Sequence, residues 1–172
     1  MISGYPASMA ANLEIERKFL VPEQPEWLDA CPNEQIEQGY VALEEEVEVR
    51  LRRRGDACSL TVKRGSGETR EEREVELEPE AFEELWPLTG GRRVRKRRYV
   101  RDADEGAIEI DVYEDALEGV VTAEIEFEDE AACRRFEPPA WLGRELTGDG
   151  RWANRSLAVD GAPEDSQGAG RG

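Results

Sequence analysis

The sequence predicts a β-dominated fold, an antiparallel sheet or barrel with few helices. Three observations predict it. Apolar and polar residues alternate strictly in segment after segment, the pattern of half-buried strands. Most of these segments are separated by short turn signals such as Gly55-Asp56, Gly65-Ser66-Gly67 and Asp104-Glu105-Gly106. Helical periodicity is confined to brief stretches. In nearly every strand the polar face carries Glu, Asp, Lys and Arg together. Either an open sheet leaves that face in water, or the sheet closes and the charged face lines a lumen.

Taken in order, residues 1–11 read as a flexible leader. Leu13–Val21 (LEIERKFLV) is the first strand, with Glu14, Glu16 and Lys18 on one face. Two like charges side by side repel, so an enclosed pair needs compensation. A divalent cation on the glutamates would supply it, and the lysine would then suit a phosphate oxygen. Pro22–Cys31 holds a short helical candidate, and Ile36–Leu43 is a second strand. Glu46–Arg54 sets Val47, Val49 and Leu51 against Glu48, Arg50 and Arg52. Ala57–Arg64 sets Leu60 and Val62 against Ser59, Thr61 and Lys63. Thr69–Leu77 puts Arg70, Glu72, Glu74 and Glu76 on one face.

Pro79 suits the first turn of a helix carrying Phe82, Leu85 and Trp86, and Pro87 stops it. In Arg92–Arg101, Lys96 and Arg98 lie opposite Arg95, Arg97 and Tyr99, so the pattern does not say which set points inward. Ala107–Tyr113 places Glu109 and Asp111 opposite Ile108 and Ile110. Val120–Glu128 places Glu124 and Glu126 opposite Ile125 and Phe127. Asp129 caps a helix running to Phe136, and Asp149–Val159 is a last short helix or strand. Residues 160–172, rich in Gly and Ala, read as a disordered tail. One domain over residues 12–159 is therefore expected.

Composition narrows the function. The net charge is −17 and charged residues make up 37%, so the surface should repel DNA and anionic membranes. A polyanionic substrate would need a locally basic pocket. No apolar run approaches the ~20 residues of a membrane span. The start, MISGYPASMAAN, lacks the features of a signal peptide. Cys31, Cys58 and Cys133 are odd in number and far apart, as in a reduced cytoplasmic protein. There is no histidine, which excludes Ser-His-Asp and Cys-His chemistry and histidine-held metals. Carboxylates remain as metal ligands, and they favour hard cations such as Mg²⁺ or Mn²⁺.

Seven charged elements occur in a fixed order: E-x-E-x-K (Glu14, Glu16, Lys18), R-x-R (Arg50, Arg52), T-x-K (Thr61, Lys63), R-x-E-x-E (Arg70, Glu72, Glu74), K-x-R (Lys96, Arg98), E-x-D (Glu109, Asp111) and E-x-E (Glu124, Glu126). In this order the chain resembles the CYTH domain, the triphosphate tunnel metalloenzyme superfamily. It is most similar to the small bacterial inorganic tripolyphosphatases. The resemblance implies an eight-stranded antiparallel β-barrel forming a tunnel, with a few short outer helices. It also implies a divalent-metal-dependent triphosphatase, with in-line attack of metal-activated water on a terminal phosphate. A class IV-type adenylyl cyclase, a thiamine or nucleoside triphosphatase, and a non-catalytic polyphosphate- or nucleotide-binding module are the alternatives.

On this reading Glu14, Glu16 and Lys18 are catalytic. Lys18, Arg50, Arg52, Lys63, Arg70, Lys96 and Arg98 meet the substrate. Glu14, Glu16, Glu124 and Glu126 lead the metal ligands, followed by Glu72, Glu74 and Asp111. Glu76 and Glu109 read as ordinary solvated charge, and Tyr40, Trp86 and Trp152 as packing. The family's D-K-R-Y-x-N appears as Asp149-Gly150-Arg151-Trp152-Ala153-Asn154. Gly150 removes the lysine, so either Arg151 stands in for it or the contact is lost. A symmetric homodimer is the expected assembly, because that is the commonest closed form.

Overall fold

The computed structural model describes residues 15–65, 71–103 and 106–166. Eight strands alternate with short helices: β1 (Ile15–Leu20), β2 (Asn33–Leu43), β3 (Val47–Arg54), β4 (Ala57–Arg64), β5 (Glu71–Leu77), β6 (Arg93–Ala103), β7 (Gly106–Tyr113) and β8 (Val121–Phe127). All pair antiparallel in one sheet, in the order β1-β8-β7-β6-β2-β3-β4-β5. This is the expected eight-stranded antiparallel architecture. Among the described residues no ladder joins the two edge strands, β1 and β5. The sheet nevertheless curls, because residues from β1 and from β4, near opposite ends of the order, line one cavity.

The helices are as short as the sequence suggests. α1 (Pro79–Leu85) starts on a proline, whose missing N–H costs nothing in the first turn. A 3₁₀ turn over Trp86–Thr89 extends it past the expected stop at Pro87. In α2 (Glu130–Arg135), the Asp129 carboxylate accepts from the Ala132 amide at 2.7 Å. The Pro22–Cys31 candidate is only a 3₁₀ turn, Leu28–Ala30. Asp149–Val159 resolves into a 3₁₀ turn, Gly150–Trp152, and α3 (Asn154–Asp160). The expected tail begins with structure: Glu164–Ser166 form a 3₁₀ turn, and Asp165 pairs with Arg144 at 2.8 Å and Arg151 at 3.3 Å. Among the described residues no helix is long and apolar enough to cross a membrane.

Register decides which face is which. Tyr113 lies opposite Lys96, and Asp111 opposite Arg98, so Lys96 and Arg98 share the face of Asp111. That settles the ambiguity of the basic strand. The opposite, apolar face carries two clusters. Phe19, Ile110, Ala123 and Ile125 pack with Phe136 and Leu142, while Leu51 and Cys58 pack under Phe82 of α1. A third cluster sits on the charged face itself. Tyr40, Val94 and Tyr113 meet Leu146, Trp152 and Leu157, so the C-terminal segment and α3 fill part of the concavity. The fill removes water from the residues beside it, and Lys96 is 1% exposed.

Candidate active site

Alternation puts side chains two residues apart on one face, and curling brings the strands' charged faces together. The result is a cavity of about 510 Å³. Glu16 and Lys18 of β1, Arg50 of β3, Lys63 of β4 and Glu124 of β8 all line it. Tyr40, Glu48 and the segment 146–155 apart from Arg151 form the rest of the wall. Five sequence candidates from four separate strands thus share one cavity.

Three basic groups of the wall, Lys18, Arg50 and Lys63, each stand near a carboxylate. Lys18 pairs with Glu124 at 2.9 Å and donates to the Trp152 carbonyl at 3.0 Å. Lys63 pairs with Glu72 at 3.1 Å. Arg50 donates to Thr61 Oγ1 at 3.0 Å and stands 3.6 Å from Glu74. Arg52 differs: its one hydrogen bond is to the neutral Gln38 Oε1 at 3.3 Å, and it makes no ion pair among the described residues. The Nε atoms of Arg50 and Arg52 are both buried without a partner. Burial first, then repulsion from Arg50 and Arg98, hold the Arg52 guanidinium below its usual pKa. Among the described residues no carboxylate pairs with this buried cation.

A second group lies beside the cavity. Asp111 is 1% exposed and accepts from Lys96 Nζ at 2.6 Å and from Arg98 Nε and Nη2 at 2.7 Å each. Burial opposes its charge, but the two cations outweigh burial and hold the carboxyl well below the ordinary range. Burial in turn lowers Lys96. Arg98 also pairs with Glu109, and with Glu124 at 3.4 Å. Glu109, read as solvated charge, is therefore an ion-pair partner. Desolvation would raise Glu124, but Lys18 holds it below normal. Tyr40 also lines the cavity, and burial with Glu48 nearby pushes its hydroxyl up to about 12.

The acidic candidates divide by neighbourhood. Glu16 stands directly opposite Glu126 across the β1–β8 ladder, and Glu124 lies two residues along the same face. Glu72 and Glu74 serve Lys63 and Arg50, and Asp111 serves Lys96 and Arg98. Glu14 and Arg70 lie outside the described residues. Among the described residues no three acidic, cysteine or histidine side chains already form a metal-binding group. The donor set still fits a hard divalent cation by chemistry, being oxygen-only and concentrated on two adjacent strands.

Sequence reading missed several wall residues. Glu48, 6% exposed, shares the face of Arg50, and alternation alone signals it. Gln38, fully buried, donates to the Tyr40 hydroxyl at 3.0 Å while accepting from Arg52. Asn154 Oδ1 accepts from the Tyr113 hydroxyl at 2.9 Å and from Lys96 at 3.4 Å. Arg155 lines the cavity, whereas Arg151 does not: its guanidinium is bound to Asp149 at 2.6 Å and to Asp165. Tyr40 and Trp152 are core, and Trp86 stacks on Phe82, as the packing reading expects.

Comparison with known proteins adds to this geometry. A family model described as the CYTH domain matches residues 12–148. The chain is 41% identical over 149 residues to a Nitrosomonas europaea protein named inorganic triphosphatase, covering 85% of this chain and 97% of that one. It is 38% identical over 146 residues to an Acetivibrio thermocellus protein of the same name, covering 84% and 92%. A crystal structure of an inorganic triphosphatase superposes with a TM-score of 0.71 at 38% identity, covering 85% of this chain and 94% of that one.

Proposed function

This chain belongs to the CYTH domain family, and from that premise we propose that it is an inorganic triphosphatase that cleaves tripolyphosphate by in-line attack of water on a terminal phosphorus. One observation carries the reading to this site. Arg50 lines the charged cavity and Arg52 shares its face two residues along β3; the Nε atoms of both are buried without a partner, and Arg52 has no ion pair among the described residues. A tripolyphosphate carries about four or five negative charges near neutrality and needs several cations around it.

The roles follow from placement. Arg50 and Arg52 grip phosphate oxygens in pairs of hydrogen bonds, which a guanidinium does better than an ammonium. Lys18 of β1 and Lys63 of β4 line the same cavity and act as point charges that neutralise charge developing in the transition state. Each now holds a carboxylate, Glu124 or Glu72, that a substrate phosphate would displace. Lys96 and Arg98, locked to Asp111, fix the positive potential of the floor.

Glu16, Glu124 and Glu126, with Glu14, are the residues that would hold Mg²⁺ or Mn²⁺. A cation held by these carboxylates would supply positive charge against the phosphates and lower the pKa of water. Glu16 and Glu126 face each other, so their mutual repulsion favours a cation between them. A cytoplasmic location is part of the same reading, supported by three free cysteines.

The test is phosphate release from tripolyphosphate, ATP, thiamine triphosphate and pyrophosphate, each with Mg²⁺ or Mn²⁺. Tripolyphosphate should give the highest kcat/KM. No release above the blank with either metal would refute the proposal.

A further inference from the structure

Among the basic side chains of the cavity wall, Arg155 stands apart. Arg155 lines the cavity and is exposed, and among the described residues it has no ion pair or hydrogen-bond partner. The other basic residues of that wall, Lys18, Arg50 and Lys63, each touch a carboxylate. The backbone beneath Arg155 is anchored. Its neighbour Asn154 is held by Tyr113 and by Lys96, and the Trp152 carbonyl is held by Lys18. A free guanidinium therefore stands on a fixed base at the rim.

We propose that Arg155 reads the length of the phosphate chain by binding its outermost phosphoryl group. Depth supports the assignment. Arg50 is 9% exposed and the side chain of Lys18 is 13% exposed, whereas Arg155 is exposed. A diphosphate held by the inner cations does not reach the rim. A triphosphate seated on the same cations does, and it gains a charge-assisted bond there. Arg151 cannot do this, because Asp149 and Asp165 neutralise it outside the cavity.

This inference rests on the triphosphatase reading. The experiment compares wild type with Arg155→Ala and Arg155→Lys, using tripolyphosphate as substrate and pyrophosphate as a competitive ligand. In Arg155→Ala, KM for tripolyphosphate should rise about tenfold, with kcat within about twofold, since an exposed charged contact is worth roughly that much. The inhibition constant of pyrophosphate should stay within about twofold. Arg155→Lys should recover part of the loss, and the salt dependence of KM should be weaker in Arg155→Ala. An unchanged KM, or equal weakening for both ligands, would overturn the role of Arg155 while leaving wild-type turnover intact. Absence of wild-type turnover would instead refute the parent reading.

Discussion

Lys96 Nζ lies 2.6 Å from Asp111 Oδ2, and the two side chains are 2% and 1% exposed. Arg98 closes the other side of the same carboxylate. One buried anion thus serves two cations. Replacing Asp111 with Asn should remove the ion-pair partner of buried Lys96, leave Arg98 with Glu109 and Glu124, and cost about 3–5 kcal/mol of folding stability. Denaturant unfolding of Asp111→Asn against wild type measures this. A change below about 1 kcal/mol would mean that water reaches the pair.

The same carboxylates set the acid limit of the fold. Asp111 and Glu124 both titrate below their ordinary values in the folded chain. Groups depressed on folding contribute stability that is complete above the unfolded pKa and is lost as pH falls through the folded one. The midpoint of thermal unfolding should therefore be flat down to about pH 4.5 and fall steadily below it. A midpoint that rises on acidification would contradict the sign.

Arg52 should show the opposite trade. Its charge is largely buried with no ion pair among the described residues, so Arg52→Met should raise the stability of the ligand-free protein by about 1–3 kcal/mol. It should also lower kcat/KM for tripolyphosphate by about 1.5–3 kcal/mol in transition-state terms. Calorimetry and phosphate release on one preparation test both halves. A variant both less stable and fully active would remove Arg52 from the site.

Glu16→Gln keeps the shape of the side chain and removes its charge. Phosphate release should be abolished while the unfolding midpoint stays near wild type. Removal of divalent cations with a chelator should abolish wild-type release in the same assay. Near wild-type turnover of the variant at saturating Mg²⁺ would take Glu16 out of the reaction.

Gly39 in β2 admits no side chain. A Cβ there would stand 2.6 Å from Thr89 Cβ and 2.7 Å from Thr89 Oγ1. Thr89 cannot retreat, being fully buried with its hydroxyl donating to the Trp86 carbonyl at 2.7 Å. Gly39→Ala should cost about 1–3 kcal/mol. Urea unfolding reads the loss, and an unchanged midpoint would show that the Trp86–Thr89 turn yields.

The legible part of this molecule was the part written in period two. Glu16, Lys18, Arg50, Lys63 and Glu124 were separable from their apolar neighbours by alternation alone, and they share the cavity. Lys96 and Arg98 were not, because both faces of their strand are charged. Only the pairing of Arg98 with Asp111 fixes them. Strand order was equally hidden: β2 lies between β6 and β3, a neighbour relation that no local pattern carries. Arg155 escaped notice because Asp149–Val159 reads equally as helix or strand, which leaves its direction undefined. Asp111 shows a further limit, since a carboxylate that neutralises two buried cations and one that ligates a metal look identical in sequence.

The pairing of β1 with β8 has a consequence for how the protein is made. Ile15 lies opposite Phe127, and the Arg17–Glu145 bond spans 128 residues of chain. Contacts this distant require closing a long loop before they return any free energy, so they form late and slowly. Glu16 and Glu124 become neighbours only when that ladder zips. A ribosome that has released β1 through β7 has therefore produced most of the sheet and none of the acidic pair. The acidic pair assembles in one step, when β8 docks on β1, and not in proportion to the length of chain made.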